Sequence, residues 1–254
     1  MKEKDAKYKV TIDMLMRNEN NVFTPVGYQR MLIDVVERHF AFVGADEHTL
    51  LAKGISWVLL SMTAEKRSEI KPSESLTART WISGKSGFTY RREIAVFHED
   101  GTLALVGALF FAMIDLEKRR ICRNPELYAK EPEEFGEELL KAESRIKENV
   151  SDWETKEILT VRPSWLDAVG HVNNVRYFEM AYDALSEEER EKMEELNRFE
   201  MYFIGELHKE EKVILRCKKE KNMVMVAGSR EDGKSSFLEK LFFASNEGQR
   251  EKSF

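Results

Sequence analysis

Apolar positions change period from one stretch of the chain to the next, and the same order of periods runs through it twice. Residues 8–12 alternate apolar and polar, which predicts a short strand. A polar turn follows at 17–21. Tyr28, Met31, Leu32, Val35, Val36, His39 and Val43 then fall at helical spacing over about four turns, and Gly44 stands where a helix C-cap belongs. An apolar stripe of that length needs a core partner. Four strand-like stretches supply one, at 55–62, 75–82, 88–97 and 103–114. Leu76, Ala78, Thr80 and Ile82 share one strand face, and His98-Glu99-Asp100-Gly101 is a hairpin signal. The order is strand, long helix, four strands, which suits an antiparallel sheet curled around the helix.

Residues 131–148 interrupt the pattern with seven glutamates set against Lys141, Arg145 and Lys147. They read as a solvated, partly helical linker. The second half then repeats the first. A strand is expected at 157–161, followed by a loop and a helix starting near Asn174. Ser186-Glu187-Glu188-Glu189 is a capping box for an extra short helix. Strands follow at 199–207, 212–217, 223–227 and 237–244. The polar tail from 246 is expected to be disordered. The fold class is therefore α+β with an internal duplication. Its units are 1–130, an acidic linker 131–152, a second unit 153–245 and a tail 246–254.

Composition narrows the function classes. The chain has 254 residues, 42% hydrophobic and 34% charged, room for two domains of about 120 residues. A net charge of −6 argues against a general nucleic-acid binder while allowing a local basic patch. The charged N-terminus shows no signal peptide. The longest apolar run, 103–114, is too short to span a bilayer. Cys122 and Cys217 make neither a disulfide scaffold nor a metal site. A reducing cytoplasm is the expected location.

The densest chemistry lies in Asp167-Ala168-Val169-Gly170-His171-Val172-Asn173-Asn174-Val175-Arg176-Tyr177. An acid, a glycine, a histidine and two amides run straight into a helical pattern, with Asn173 or Asn174 as its cap. A helix start presents unpaired N–H groups and partial positive charge, which polarise a carbonyl. Asp167 and His171 are placed to handle a water or a proton beside it.

This stretch resembles the loop-to-helix signature of hotdog-fold thioesterases, and two tandem strand–helix–four-strand units are what a double hotdog looks like. Within that group the chain is similar to the acyl-acyl carrier protein thioesterases, the bacterial relatives of the plant enzymes. Supporting residues in the first half are Gly54-Ile55-Ser56-Trp57-Val58-Leu59, Pro72 followed by Thr80-Trp81, Tyr90-Arg91-Arg92, Asp100-Gly101, and Met113-Ile114-Asp115 followed by Arg119-Arg120. The resemblance covers roughly residues 8 to 245. There are departures. The plant pattern has asparagine two residues after the aspartate, where this chain has Val169. A cysteine follows the family's glutamate, matched here by Glu206, but this chain has Leu207. A Cys–His nucleophile pair therefore cannot be built there.

The resemblance implies two hotdog domains, each a curled antiparallel sheet around a central helix, and one active site in the second. It implies hydrolysis of fatty acyl thioesters on acyl carrier protein in fatty acid biosynthesis, with neither metal nor organic cofactor. Asp167 would orient or deprotonate water, or attack the thioester itself. His171 would assist that step or hold the thioester, Asn173 with the helix-start N–H groups would help stabilise the oxyanion, and Glu206 would be a second carboxylate in an apolar strand. If Glu206 is buried beside Asp167, the two should titrate as a coupled pair. Asn174, Trp57, Met31 and Val35 are the expected substrate contacts. The histidine-free first-half counterpart, 17–21, reads as a degenerate site. Acyl carrier protein is acidic, so a basic surface should receive it, either Lys118, Arg119, Arg120 and Arg123 or Lys218, Lys219 and Lys221. Rival readings are an acyl-CoA thioesterase, a catalytically silent acyl-binding protein favoured by Val169, and a hotdog dehydratase, which the His-Val-Asn-Asn context does not suit. A monomer or a homodimer fits. The P-loop pattern at 228–235 reads as a hairpin turn at Asp232-Gly233, because too little chain follows it for a nucleotide-binding sheet.

Overall fold

The computed structural model describes residues 6–129 and 134–244. The expected tail at 246–254 and the start of the linker lie outside them. The first half runs β1 (Tyr8–Val10), α1 (Pro25–Phe42), α2 (Glu47–Leu51), β2 (Ile55–Lys66), β3 (Leu76–Ser86), β4 (Thr89–Phe97), β5 (Leu103–Asp115) and β6 (Arg120–Ile121). The second runs β7 (Glu154–Thr160), α3 (Asn174–Asp183), α4 (Glu187–Glu191), β8 (Leu196–Phe203), β9 (Lys212–Glu220), β10 (Met223–Arg230) and β11 (Ser235–Phe243). Apart from β6, α2 and α4, each half is the strand–helix–four-strand unit that the periodicity predicts. No helix among the described residues is long and apolar enough to cross a membrane.

All strands join one antiparallel sheet in the order β1-β3-β4-β5-β2-β8-β11-β10-β9-β7, with β6 on β5. The halves meet at β2 and β8, in register from Ser61 opposite Tyr202 to Glu65 opposite Arg198. The helices α1 and α3 touch each other inside the curl. Thr24 caps α1 by accepting the Gly27 N–H, and Pro25 opens the first turn. Leu32, Val35 and Val36 on α1 are fully buried. The helix lies so close to β5 that a Cβ on Gly107 would sit 3.0 Å from the Leu32 side chain. Removing Leu32 to Ala would cost about 2–5 kcal/mol at such a site.

Two expectations need correction. Residues 134–149 contain no helix. They form an extended strap on the sheet face turned away from α1. Glu93, fully buried, accepts from Ser83 Oγ at 2.7 Å, Arg91 Nε at 2.6 Å and the Leu139 N–H at 3.2 Å. Arg91 also reaches the Glu138 carboxylate and the Leu140 carbonyl. Trp81 Nε1 donates to Glu137 O, Ser61 Oγ to Glu143 O and Arg198 to Lys141 O. The strap's backbone oxygens are thus taken up by the sheet, which a tally of its charges does not reveal.

The second correction concerns β8, which stops at Phe203 instead of running to 207. Ile204 and Gly205 both donate to Ser236 O, at 2.8 and 3.0 Å. Two residues opposing one is a bulge arrangement, and it turns the chain out of the sheet. Glu206 consequently lies in a loop. At the β10–β11 turn Gly233 takes φ 80° and Arg230 N–H donates to Lys234 O, the hairpin expected there.

Candidate active site

The loop from β7 to α3 closes on itself. Leu166 and Val172 form an isolated antiparallel bridge. Asp167 N–H donates to His171 O at 2.8 Å, and Gly170 N–H to Asp167 O at 3.1 Å. Gly170 takes φ 80°, which glycine adopts without a Cβ penalty. The Asp167 carboxylate joins the turn through Oδ1, which accepts the N–H groups of Val169 at 2.9 Å and His171 at 3.1 Å. Oδ2 meets no protein donor among the described residues. One oxygen therefore shapes the loop while the other remains open for chemistry.

Asn173 is the N-cap of α3. Its Oδ1 accepts the Val175 N–H at 3.1 Å. The side-chain oxygen thus serves the helix, leaving Nδ2 and the free N–H of Asn174 as the donors at the helix start. The ordering of the neighbouring loop depends on Tyr177. Its buried hydroxyl accepts the Leu207 N–H at 3.2 Å, while Val172 N–H donates to Leu207 O at 3.1 Å. Burial pushes the Tyr177 phenol above the ordinary tyrosine range. Leu207, completely buried, is held from both sides, and Glu206 beside it is carried toward His171.

His171 is 13% exposed, and its Nε2 accepts from Arg119 at 2.9 Å. Glu206 Oε2 lies 3.5 Å from the same nitrogen and pairs with Arg119 at 2.5 Å. His208 approaches edge-on, with ring centroids 5.1 Å apart. Donor atoms of His171, Glu206 and His208 lie within 4.8 Å of one another, and the guanidinium of Arg119 already donates to two of the three. Glu206 is 43% exposed and ion-paired, so it is not the buried half of a coupled carboxylate pair. Arg119, expected as part of a basic docking surface, joins this cluster.

These groups open on a cavity of about 680 Å³ shared by both halves, within the range of small-molecule sites. Asp167, His171, Asn173, Asn174 and Glu206 line one side. The other side comes from the first half: Ile33, Val36 and Phe40 of α1, Trp57 of β2 and Phe111 of β5. Trp57 stacks on Phe40 at 5.1 Å and meets Phe111 edge-on, and its Nε1 donates to Ala45 O. Met31 and Val35 do not reach the cavity. They are 1% and 0% exposed and belong to the core packed under α1. Glu37, at the rim, faces Glu47 and Asp34; partial desolvation and these two acids raise its carboxyl above the ordinary glutamate value.

Neither cysteine lines the cavity. Both are buried thiols, and burial pushes that of Cys217 up to about 12. Of the two basic clusters, Lys118 and Arg119 lie in the β5–β6 turn with Arg120 opening β6; Lys118 pairs with Asp115, and Arg119 reaches His171 and Glu206 of the cavity wall. Lys218 and Lys219 are engaged with Glu220, Glu188 and Glu189.

Comparison with known proteins adds the family. Residues 2–131 match the acyl-ACP thioesterase N-terminal domain, and residues 148–251 match the acyl-ACP thioesterase C-terminal domain. A crystal structure of an acyl-ACP thioesterase from Bacteroides thetaiotaomicron superposes with a TM-score of 0.80 at 23% identity, covering 96% of this chain and 100% of that one. A 12:0-ACP thioesterase from Umbellularia californica superposes at 0.71 with 12% identity, covering 94% and 96%. At these identities the likeness speaks for the double-hotdog fold alone. No curated protein matches the chain at a significant level.

Proposed function

The chain belongs to the acyl-ACP thioesterase family, whose members are thioester hydrolases, and from that premise we propose how its own residues carry the hydrolysis of a fatty acyl thioester. The supporting observation is the convergence of Asp167, His171 and the start of α3 on one cavity whose far walls are apolar. The acyl chain lies along Val36, Phe40 and Trp57. The thioester carbonyl sits at the start of α3, where the Asn174 N–H and Asn173 Nδ2 face the developing oxyanion. Asp167 Oδ2 takes a proton from water as the water oxygen bonds to the carbonyl carbon. The C–S bond then breaks, and the proton taken up by Asp167 passes to the departing thiolate, to which His171 donates a hydrogen bond.

The two hotdog units are taken as 1–130 and 153–245, with the active site in the second. A role in fatty acid biosynthesis, a cytoplasmic location and docking of an acidic carrier on Lys118, Arg120 and Arg123 complete the reading. Free-fatty-acid release from acyl carrier protein and coenzyme A thioesters, C4 to C18, tests it beside Asp167→Asn. Turnover that prefers the carrier protein and collapses in the variant is the expected result. Turnover that survives Asp167→Asn would move the chemistry away from this loop.

A further inference from the structure

We infer that Arg119, contributed by the first half of the chain, is the positioning residue that selects the tautomer of His171 in the second. The inference rests on the active-site reading above. Arg119 sits in the β5–β6 turn at φ 51°, left-handed backbone that costs a non-glycine residue free energy. The turn is locked by Asp115, whose carboxylate accepts the Lys118 N–H and Nζ, both at 2.9 Å. The ion pair that Arg119 gains is 47% and 43% exposed, and such pairs contribute little to stability. A strained backbone with so little stabilising return points to function.

The chemistry is specific. A guanidinium donates hydrogen bonds, accepts none and does not lose its proton. Because Arg119 Nη2 donates to His171 Nε2 at 2.9 Å, that nitrogen presents its lone pair. The ring proton is therefore on Nδ1, which becomes the donor available to the reaction. Glu206 exerts the opposite pull, since a carboxylate 3.5 Å from Nε2 favours an N–H there. With Arg119 in place the lone pair wins. Without it, the proton moves to Nε2 toward Glu206, and Nδ1 loses the N–H that it would hydrogen-bond to the departing sulfur. One half of the chain thus sets the proton inventory of the other.

The test is Arg119→Gln and Arg119→Ala in the full chain, assayed with EDTA so that no trace cation occupies the three donor atoms left by the missing guanidinium. Ring nitrogen NMR of His171 should report Nδ1–H in the parent and Nε2–H in the variants. The value of kcat should fall about 10²-fold, with KM within threefold on carrier-protein and coenzyme A thioesters alike. Methylguanidinium should restore part of the activity of Arg119→Ala. An unchanged tautomer overturns the inference. So does a variant whose kcat is intact and whose KM rises only for the carrier protein, since that is a docking residue. The tautomer is read without turnover, so this outcome is separate from the fate of Asp167→Asn.

Discussion

Glu239 occupies the middle of β11, with Met201 opposite it on β8 and Val226 on β10. Its neighbours along the strand face, Phe237 and Leu241, belong to the main core. The side chain has no exposed area, and neither carboxylate oxygen has a hydrogen-bond partner among the described residues. Burial raises its pKa well above the usual 4.5. Replacing it with leucine removes an unpartnered polar group, worth about 1–3 kcal/mol. It also removes a pH-dependent term. The folded pKa is raised, so below about pH 4.5 both states hold the proton and the term vanishes. Above that the unfolded chain releases the proton while the fold retains it. Parent stability then falls by about 1.4 kcal/mol per pH unit until the folded pKa is reached. Urea unfolding of parent, Glu239→Leu and Glu239→Gln at pH 5.5, 6.5 and 7.5 reads this directly. The advantage of both variants should widen with pH, by up to about 2.7 kcal/mol across those two units. The glutamine controls for repacking by leucine. A gap that stays constant, or narrows as pH rises, would refute the reasoning.

Three further outcomes follow from other contacts. Tyr177→Phe strands the buried N–H of Leu207, which should cost about 1–3 kcal/mol; calorimetry should show Tm lower by several degrees, and kcat should drop as the Glu206 loop loosens. Arg91→Met leaves Glu93 without its ion pair under the strap and should destabilise by about 3–5 kcal/mol, while adding Glu93→Leu should recover most of it in urea titrations. Trp57→Leu removes an aromatic wall of the cavity, and chromatography of the released acids should show kcat/KM shifting toward longer chains.

The sequence was most informative where side-chain period and local hydrogen bonding decide the structure. Alternation located the strands, and the stripe from Tyr28 to Val43 located α1. Ser186 and Asn173 cap their helices by contacts no more than three residues away, and the Asp167–Gly170–His171 turn closes within four. What escaped depends on distance or on rotation. Arg119 meets partners 52 and 87 residues away, and nothing near it in the chain separates it from Arg120. Val35 and Val36 are equally apolar, and only the roll of α1 decides that Val36 faces the cavity while Val35 faces the core. Glu206 was placed in a strand because its apolar neighbours continue, whereas a bulge at 204–205 ends the pairing before it. In the strap, the glutamates suggested solvent, but the backbone oxygens are what the sheet takes up.

Pairing of β2 with β8 places the seam between the halves inside a single chain. Two separate hotdog chains would assemble a composite cavity by mass action and lose it on dilution. Here the linker fixes the effective concentration of each half for the other. Specific activity should therefore stay level as the enzyme is diluted, whatever larger assembly it forms. The same tether releases the two halves from being identical. One supplies aromatic walls and an arginine to the cavity, while the other supplies the loop from Asp167 to Asn173.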